Sequence, residues 1–173
     1  KKAENLSFSL SHSALVVMHT WNCYEPEDFP GWWRVVEYLP RAKEILQQYF
    51  PPMLALARKI KLPIIHVVWG GNYYQDLTEH KYSVNLAGQE EVLPQVRKDV
   101  VREGLDAFRE SFVFPGDHNQ SDVARSRIAR DFAPEAKPLP GEIIVSSSKQ
   151  LFMHCHELGI NHLLYSGFAI NWC

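Results

Sequence analysis

The stretch ALVVMH, residues 14–19, decides the fold. It is short, rich in β-branched residues and apolar at consecutive positions, which is typical of a strand buried on both faces of a parallel sheet. The run LPIIHVV at residues 62–68 has the same character, and helical sequence lies between the two runs. A strand, a helix and a second parallel strand form a βαβ unit, so the sequence predicts an α/β fold.

The segment between these strands predicts a loop followed by two helices. Residues 20–40 are rich in aromatic residues and prolines, which favours a loop at the carboxyl end of the first strand, where such sheets bind their ligands. A helical pattern follows from about Arg41 and places three apolar residues on one face: Ile45, Leu46 and Tyr49. Because proline is tolerated only at a helix start, Pro51 and Pro52 predict that this helix ends and a second one begins there.

The second half of the chain predicts two further strands, IIVSSS at residues 143–148 and HLLYSG at 162–167. Residues 70–140 are less regular, with patchy helical character at 88–108 and an amphipathic helix toward the end of 110–132. Only residues 149–161 connect the last two strands, close to the lower limit of about 10–12 residues for a crossover that contains a helix. Either this connection is compact or residues are absent from it.

Length and composition indicate one globular domain over residues 1–173. We expect a three-layer α/β/α sandwich with a mainly parallel, Rossmann-like doubly wound sheet. The net charge of −2 gives no electrostatic footprint for nucleic acid or an anionic membrane. No apolar run reaches the ~18 residues of a membrane span, and no signal peptide is recognisable. We therefore expect a soluble, cytoplasmic protein.

The three cysteines, Cys23, Cys155 and Cys173, are too few and too irregularly spaced for a disulfide framework or a cysteine-based zinc site. Each cysteine either packs in the protein interior or takes part in chemistry. Gly167 permits a sharp turn after the last strand, which would place Cys173 near the first turn of a following helix. Backbone N–H groups there stabilise a thiolate and can form an oxyanion hole.

The segment GINHLLYSGFAINWC, residues 159–173, resembles the nucleophile segment of the isochorismatase-like cysteine hydrolases. Four residues match the family pattern Gly-x-Ala-Thr-Asn-x-Cys: Gly167, Ala169, Asn171 and Cys173. Ile170 replaces the usual threonine. The resemblance extends in order over three other segments, residues 14–22, 57–68 and 141–149.

This resemblance implies a triad of cysteine, lysine and aspartate that acts on an amide or vinyl-ether-type small molecule. Cys173 matches the nucleophile. Lys149 is the candidate lysine, although the family's lysine aligns more nearly with Ser147, and His19 occupies the aspartate position. The resemblance also implies a homo-oligomer, and it leads us to expect that the chain is truncated after Cys173.

The histidine at the aspartate position leaves two hypotheses open. An imidazole can accept a thiol proton, so Cys173, Lys149 and His19 form a candidate catalytic set. Alternatively, His19 only hydrogen-bonds a loop, and the chain is a catalytically impaired family member with a binding or structural role.

Residues predicted to contact substrate are Asn22, Trp21, Trp69 and Ala169. The aromatic residues that follow the first two strands either line a pocket for a flat or apolar substrate or pack a loop or subunit interface. These aromatic residues are Trp21, Tyr24, Trp32, Trp33 and Trp69.

No metal and no cofactor are expected. The nicotinamidase branch of the family carries an Asp-x-His metal site after its second strand, where this chain has HVVWGGNYY at residues 66–74. His66 is predicted to be a hydrogen-bonded core histidine. The triplet HCH at 154–156 favours packing or solvated roles, because residues two apart do not share a helix face.

Overall fold

The structure is a computed structural model that describes residues 7–90, 92 and 94–168. Its strands are β1 (Ser13–Met18), β2 (Ile64–Val67), β3 (Ile143–Val145) and β4 (His162–Gly167). Its helices are α1 (Pro30–Val35), α2 (Leu39–Lys59), α3 (Thr78–Ala87), α4 (Val100–Phe112), α5 (Gln120–Ile128) and α6 (Ser148–Leu158). Short 3₁₀ turns lie at Leu10–His12 and Pro134–Ala136.

The four strands form one parallel sheet in the order β3-β2-β1-β4. Strand β1 lies inside the sheet, and all six of its residues are buried. The chain moves outward from β1 through β2 to β3 and then crosses back to β4 on the other side of β1. The predicted doubly wound parallel sheet is confirmed.

The two faces of the sheet pack against different helices. On one face, Leu15 of β1 belongs to a core cluster with Phe50 and Leu54 of α2. On the other face, Ala14 clusters with Val145 of β3 and with the partly buried Leu151 of α6. Alternating side chains of a strand point to opposite faces, so a single buried strand contributes to both clusters. The predicted three-layer α/β/α architecture is confirmed.

Helix α2 runs without a break through Pro51 and Pro52, so the prediction of two helices was wrong. Its buried positions continue in four-residue steps across the prolines, from Leu46 through Phe50 to Leu54. Both prolines lie on the exposed side of the helix. Packing of the apolar face therefore outweighs the local cost of the missing N–H groups.

Three other local predictions need correction. Tyr49 is 62% exposed and does not share the buried face of α2. The strand predicted over 143–148 ends at Val145, and Ser147 instead caps α6 by accepting a hydrogen bond from the Gln150 amide at 3.3 Å. Helix α1 lies within the segment predicted to be a loop.

The connection between β3 and β4 is compact, because α6 fills most of it and only residues 159–161 separate α6 from β4. Among the helices of the described part, none combines the length and the apolar character needed to cross a bilayer.

Candidate active site

A pocket of about 490 Å³ lies where β1 and β2 end. His19 and Trp21 follow β1, and Trp69 follows β2. The other described residues that line it are Trp32, Val35, Val36, Glu37, Tyr38, Phe114, Arg127 and Arg130. The lining is mostly aromatic and apolar, and the pocket opens at the strand ends where parallel α/β sheets bind ligands.

The segment after β1 is held by antiparallel pairing with residues 131–133. The amide of Ala133 donates to the carbonyl of Thr20 at 2.9 Å, and the amide of Asn22 donates to the carbonyl of Asp131 at 3.0 Å. The Asn22 side-chain oxygen accepts from the Asp131 amide at 3.1 Å. Asn22, predicted to contact substrate, therefore secures this pairing and is not among the described residues that line the pocket.

This pairing brings Arg130 onto the pocket aromatics. The guanidinium carbon of Arg130 lies 4.0 Å from the centroid of the Trp21 ring, and its Nη1 donates to the carbonyl oxygen of Trp69 at 3.0 Å. The indole Nε1 of Trp21 donates to the hydroxyl of Tyr73 at 3.0 Å. Arg130 thus links the two predicted substrate-contacting tryptophans through a cation–π contact and a hydrogen bond.

His19 is buried in the wall of the pocket, with 5% of its surface exposed. The chain turns sharply at this residue, whose φ is +54°, and the imidazole packs edge-on against Trp21 with ring centroids 4.8 Å apart. Burial and the positive charge of Arg130 lower the pKa of His19 below its usual range. At neutral pH the imidazole is therefore uncharged and able to accept a proton.

The strand that precedes the predicted nucleophile ends beside His19. Gly167 pairs with Met18 across β1 and β4, and the amide of Phe168 donates to the Met18 carbonyl at 3.1 Å. Gly167 has a φ of +143°, and no Cβ would fit there against Met18. Cys173 and Ala169, two of the predicted site residues, lie outside the described residues.

Lys149 lies away from this pocket in the described structure. It is exposed on the first turn of α6, and its Nζ donates to the carbonyl oxygen of Gln89 at 2.6 Å. Ser147, the other position considered for the catalytic lysine, donates its hydroxyl to the Glu90 carboxylate. Neither residue is among the described pocket residues, so the structure brings together His19, Trp21 and Trp69 but not Lys149.

The two described cysteines are protonated thiols at neutral pH and are therefore not activated as nucleophiles. Burial raises the pKa of Cys23 to about 11, and burial also raises the pKa of Cys155. Both are free. Since a thiolate is the reactive form, neither side chain is activated at neutral pH.

Two of the histidines singled out in the sequence, His66 and His154, make hydrogen bonds in the core, whereas His156 is exposed. His66 is 1% exposed, and its Nε2 lies 3.0 Å from Glu142 Oε2. His154 is 3% exposed, and its Nε2 lies 2.8 Å from the hydroxyl of Ser83. Within residues 7–90, 92 and 94–168, no group of three or more histidine, cysteine, aspartate or glutamate side chains is arranged to hold a metal ion.

Sequence reasoning missed Arg130, which lies just after α5 in a stretch interpreted only as amphipathic helix. A signal was present in the pair Gly70 and Gly71 directly after Trp69. Gly70 has a φ of +68°, and a Cβ added there would lie 2.5 Å from Nη1 of Arg130. Paired glycines after a strand indicate close approach of another segment, and here that segment carries the arginine.

The solved structures that are similar to this chain include two bacterial proteins. One is an isochorismatase from Pseudomonas putida, which is 18% identical and matches with a TM-score of 0.45 over 95% of this chain and 60% of its own. The other is an isochorismatase family protein from Burkholderia thailandensis, which is 15% identical and matches with a TM-score of 0.42 over 93% of this chain and 66% of its own.

The chain thus spans between 60% and 66% of the length of these two proteins. No family model matches its sequence, and no curated protein matches it either. Both of these solved structures are isochorismatase family proteins.

Proposed function

We propose that this chain is an isochorismatase-like hydrolase that cleaves an amide or vinyl-ether-type small molecule in the pocket beside His19, with Cys173 as nucleophile. The observation that carries the proposal is the pairing of Gly167 with Met18, the residue before His19. It sets the start of the Gly-x-Ala-x-Asn-x-Cys segment next to a buried imidazole at the ligand-binding end of the sheet.

For an amide substrate, the proposed reaction begins when His19 accepts the thiol proton of Cys173 and the thiolate attacks the carbonyl carbon. The C–N bond then breaks as the imidazolium gives its proton to the departing amine, which leaves a thioester on the sulfur. Water attacks the thioester carbon while His19 takes a water proton. The carbon–sulfur bond breaks, the acid is released, and the proton returns to the sulfur of Cys173.

The state of His19 suits this role. The lowered pKa keeps the imidazole neutral at pH values where an ordinary histidine begins to charge. Its edge-on contact with Trp21 and its burial restrict the ring to one position in the pocket wall. A general base needs both an uncharged form, which can accept a proton, and a defined position.

In this proposal, His19 is the only side chain that accepts and returns protons. A role for Lys149 beside the thiolate requires its ammonium group to leave the Gln89 carbonyl. Trp21 and Trp69 are the proposed walls for a flat substrate, since both line the pocket. Contacts of Asn22 and Ala169 with substrate remain predictions.

The test is alkylation of Cys173 by iodoacetamide, followed by peptide mass spectrometry across pH values from about 5 to 10. We expect Cys173 to react with an apparent pKa well below the ~8.5 of an ordinary thiol. The Cys23 and Cys155 peptides serve as internal controls, because burial raises the pKa of both thiols.

A matched variant is His19→Asn, because asparagine tolerates the positive φ of this position. It should move the apparent pKa of Cys173 upward. A wild-type Cys173 that titrates at about 8.5 or higher would contradict the nucleophile and favour a non-catalytic family member with a binding role.

The same proposal includes four expectations drawn from the sequence and the family resemblance. These are a single domain over residues 1–173, a homo-oligomer, a cytoplasmic location and a reaction without metal or cofactor.

A further inference from the structure

A second pocket, of about 670 Å³, lies at the amino ends of β2 and β3. Ile64 and Ile143, the first residues of these two strands, form part of its wall, and residues of α3 and α6 form another part. The two ends of a parallel strand lie at opposite edges of the sheet. This pocket is therefore separated by the length of the strands from the candidate active site, which lies where β1 and β2 end.

The described lining of this second pocket carries more carboxylates than it neutralises. Arg58 donates from Nε and Nη2 to the two carboxylate oxygens of Glu142, at 2.7 and 3.1 Å, so these two charges cancel. The other charged residues of the lining are Lys61, Glu79 and Glu157. Among the described residues, neither of these two glutamates has a cation within ion-pair distance, and Lys61 is exposed and unpaired. The lining thus keeps a net negative charge.

The two unpaired carboxylates are held in place by neutral donors. The hydroxyl of Tyr82 donates to the carboxylate of Glu157, whose two oxygens lie 3.2 and 3.3 Å away. Oε1 of Glu79 accepts from the Gly141 amide at 2.8 Å, and Oε2 has no hydrogen-bond partner among the described residues. Each carboxylate therefore has acceptor capacity left for a ligand. The ring of Tyr82, which belongs to a residue that is 51% exposed, offers an aromatic face to a cation beside them.

His154 adds a buried acceptor to the same lining. Only 3% of His154 is exposed, and its Nε2 lies 2.8 Å from the hydroxyl of Ser83, which itself donates to the backbone carbonyl of Glu79 at 3.0 Å. Because a hydroxyl has one proton, Ser83 accepts from His154, and Nε2 carries the ring proton. Nδ1 is then a lone-pair acceptor, and it has no partner among the described residues. Burial lowers the pKa of His154 against the opposing effect of Glu157, so the ring is uncharged at neutral pH.

We propose that this second pocket binds a primary ammonium group on an aliphatic chain, with its N–H groups donating to the Glu157 carboxylate and to Nδ1 of His154. An ammonium group has three N–H donors and no acceptor, which matches a lining whose free polar atoms accept hydrogen bonds. The Tyr82 ring provides a face for the cation, and apolar residues such as Leu62 and Leu158 provide surface for the chain. The site shares no lining residue with the pocket beside His19, so it is independent of the proposed hydrolysis.

The test is NMR titration of the purified protein near neutral pH with three probes that share a six-carbon chain. Hexylamine is charged and has N–H donors, hexyltrimethylammonium is charged without them, and 1-hexanol is uncharged. We expect hexylamine to bind at least about 10-fold more tightly than 1-hexanol, as for hydrogen bonds to a charged group, and more tightly than hexyltrimethylammonium. No binding of hexylamine, or an affinity no higher than that of either other probe, would overturn the inference.

Glu157→Gln should weaken the binding of hexylamine about 10-fold or more, because it removes the charge with little change in shape. Glu37→Gln is the matched control: it removes the carboxylate that lines the pocket beside His19 and should change hexylamine affinity by less than about threefold. Wild-type affinity in Glu157→Gln, or an equal loss in Glu37→Gln, would show that the ammonium group binds elsewhere. Circular dichroism verifies that both variants fold; if Glu157→Gln does not, the comparison of the three probes on the wild-type protein decides.

The nitrogen signals of the His154 ring test its contact with the ligand directly. We expect the Nδ1 signal of His154 to shift when hexylamine is added and to stay in place when 1-hexanol is added, because only the amine donates a proton to this atom. The ring nitrogens of His66, which lines neither pocket, serve as the internal control. An Nδ1 signal of His154 that does not respond to saturating hexylamine would refute the proposed contact.

Discussion

Gly167 lies so close to Met18 that a Cβ atom added at Gly167 would be 2.0 Å from the Met18 carbonyl oxygen. Because that oxygen belongs to the central strand, the clash cannot be relieved by a side-chain rotation. We predict that Gly167→Ala destabilises the protein by at least about 3 kcal/mol. Chemical denaturation followed by circular dichroism measures this loss.

Gly104 provides the control for that experiment. It lies inside α4, and a Cβ added there meets no atom within 4 Å. Gly104→Ala should therefore stabilise the protein by about 0.5–1 kcal/mol, because alanine favours the helix. Equal effects of the two glycine substitutions would contradict the close approach of β4 to β1.

Leu54 and Leu56 test which face of α2 packs on the sheet. Leu54 is fully buried, whereas Leu56 is 58% exposed. Leu54→Ala should cost about 2–5 kcal/mol through lost contacts and a residual cavity, and Leu56→Ala less than about 1 kcal/mol. The comparison is made by urea denaturation, and a larger loss for Leu56→Ala would show that the helix is rotated about its axis.

The lowered pKa of Glu142 predicts that the folded protein loses stability in acid. Burial alone would raise the pKa of Glu142, but hydrogen bonds from His66, Arg58 and the Leu139 amide outweigh it and lower the pKa to about 2. The unfolded chain protonates this carboxyl near its ordinary value of 4.5, before the folded chain does. The contribution of Glu142 is therefore present above that value and is lost as pH falls toward about 2.

The substitution Glu142→Gln checks this assignment. Near neutral pH it should cost about 3 kcal/mol, because it leaves Arg58 without its charged partner. The difference in unfolding free energy between variant and wild type should narrow as pH falls from 4.5 to about 2. A difference that stays constant across this range would refute the role of Glu142.

The electrostatic link between Arg130 and His19 can be measured by NMR titration of the His19 ring. We predict a pKa below the usual range in the wild-type protein and a higher one in Arg130→Gln, because that variant removes one of the two causes of the shift. Burial, the larger cause, remains. Arg127→Gln should leave the His19 pKa nearly unchanged, and an unchanged His19 pKa in Arg130→Gln would contradict the electrostatic link.

The sheet was predictable because its strands carry local signals. Strands β1, β2 and β4 coincide with short apolar runs, and the parallel order follows from their separation by helical segments. The continuity of α2 was not predictable from the rule for proline, since that rule describes the local backbone. What decides the helix is the fit of Leu46, Phe50 and Leu54 to the sheet, which is a tertiary property.

The candidate site was predictable only in part. His19, Trp21 and Trp69 follow strands, so the topology alone places them at one end of the sheet. Arg130 reaches them because residues 131–133 pair with residues 20–22, which are distant in the sequence. Apart from the glycines at 70 and 71, the sequence carries no local signal for such a pairing.

The two internal prolines of α2, Pro51 and Pro52, also bear on the order of folding. Without tertiary contacts, each internal proline disfavours a helix by about 3 kcal/mol, so this segment has little tendency to nucleate by itself. This unfavourable free energy is offset only when the apolar face of α2 packs against the strands. Helix α2 and the sheet face that it covers must therefore become ordered in one cooperative step, rather than by docking of a preformed helix.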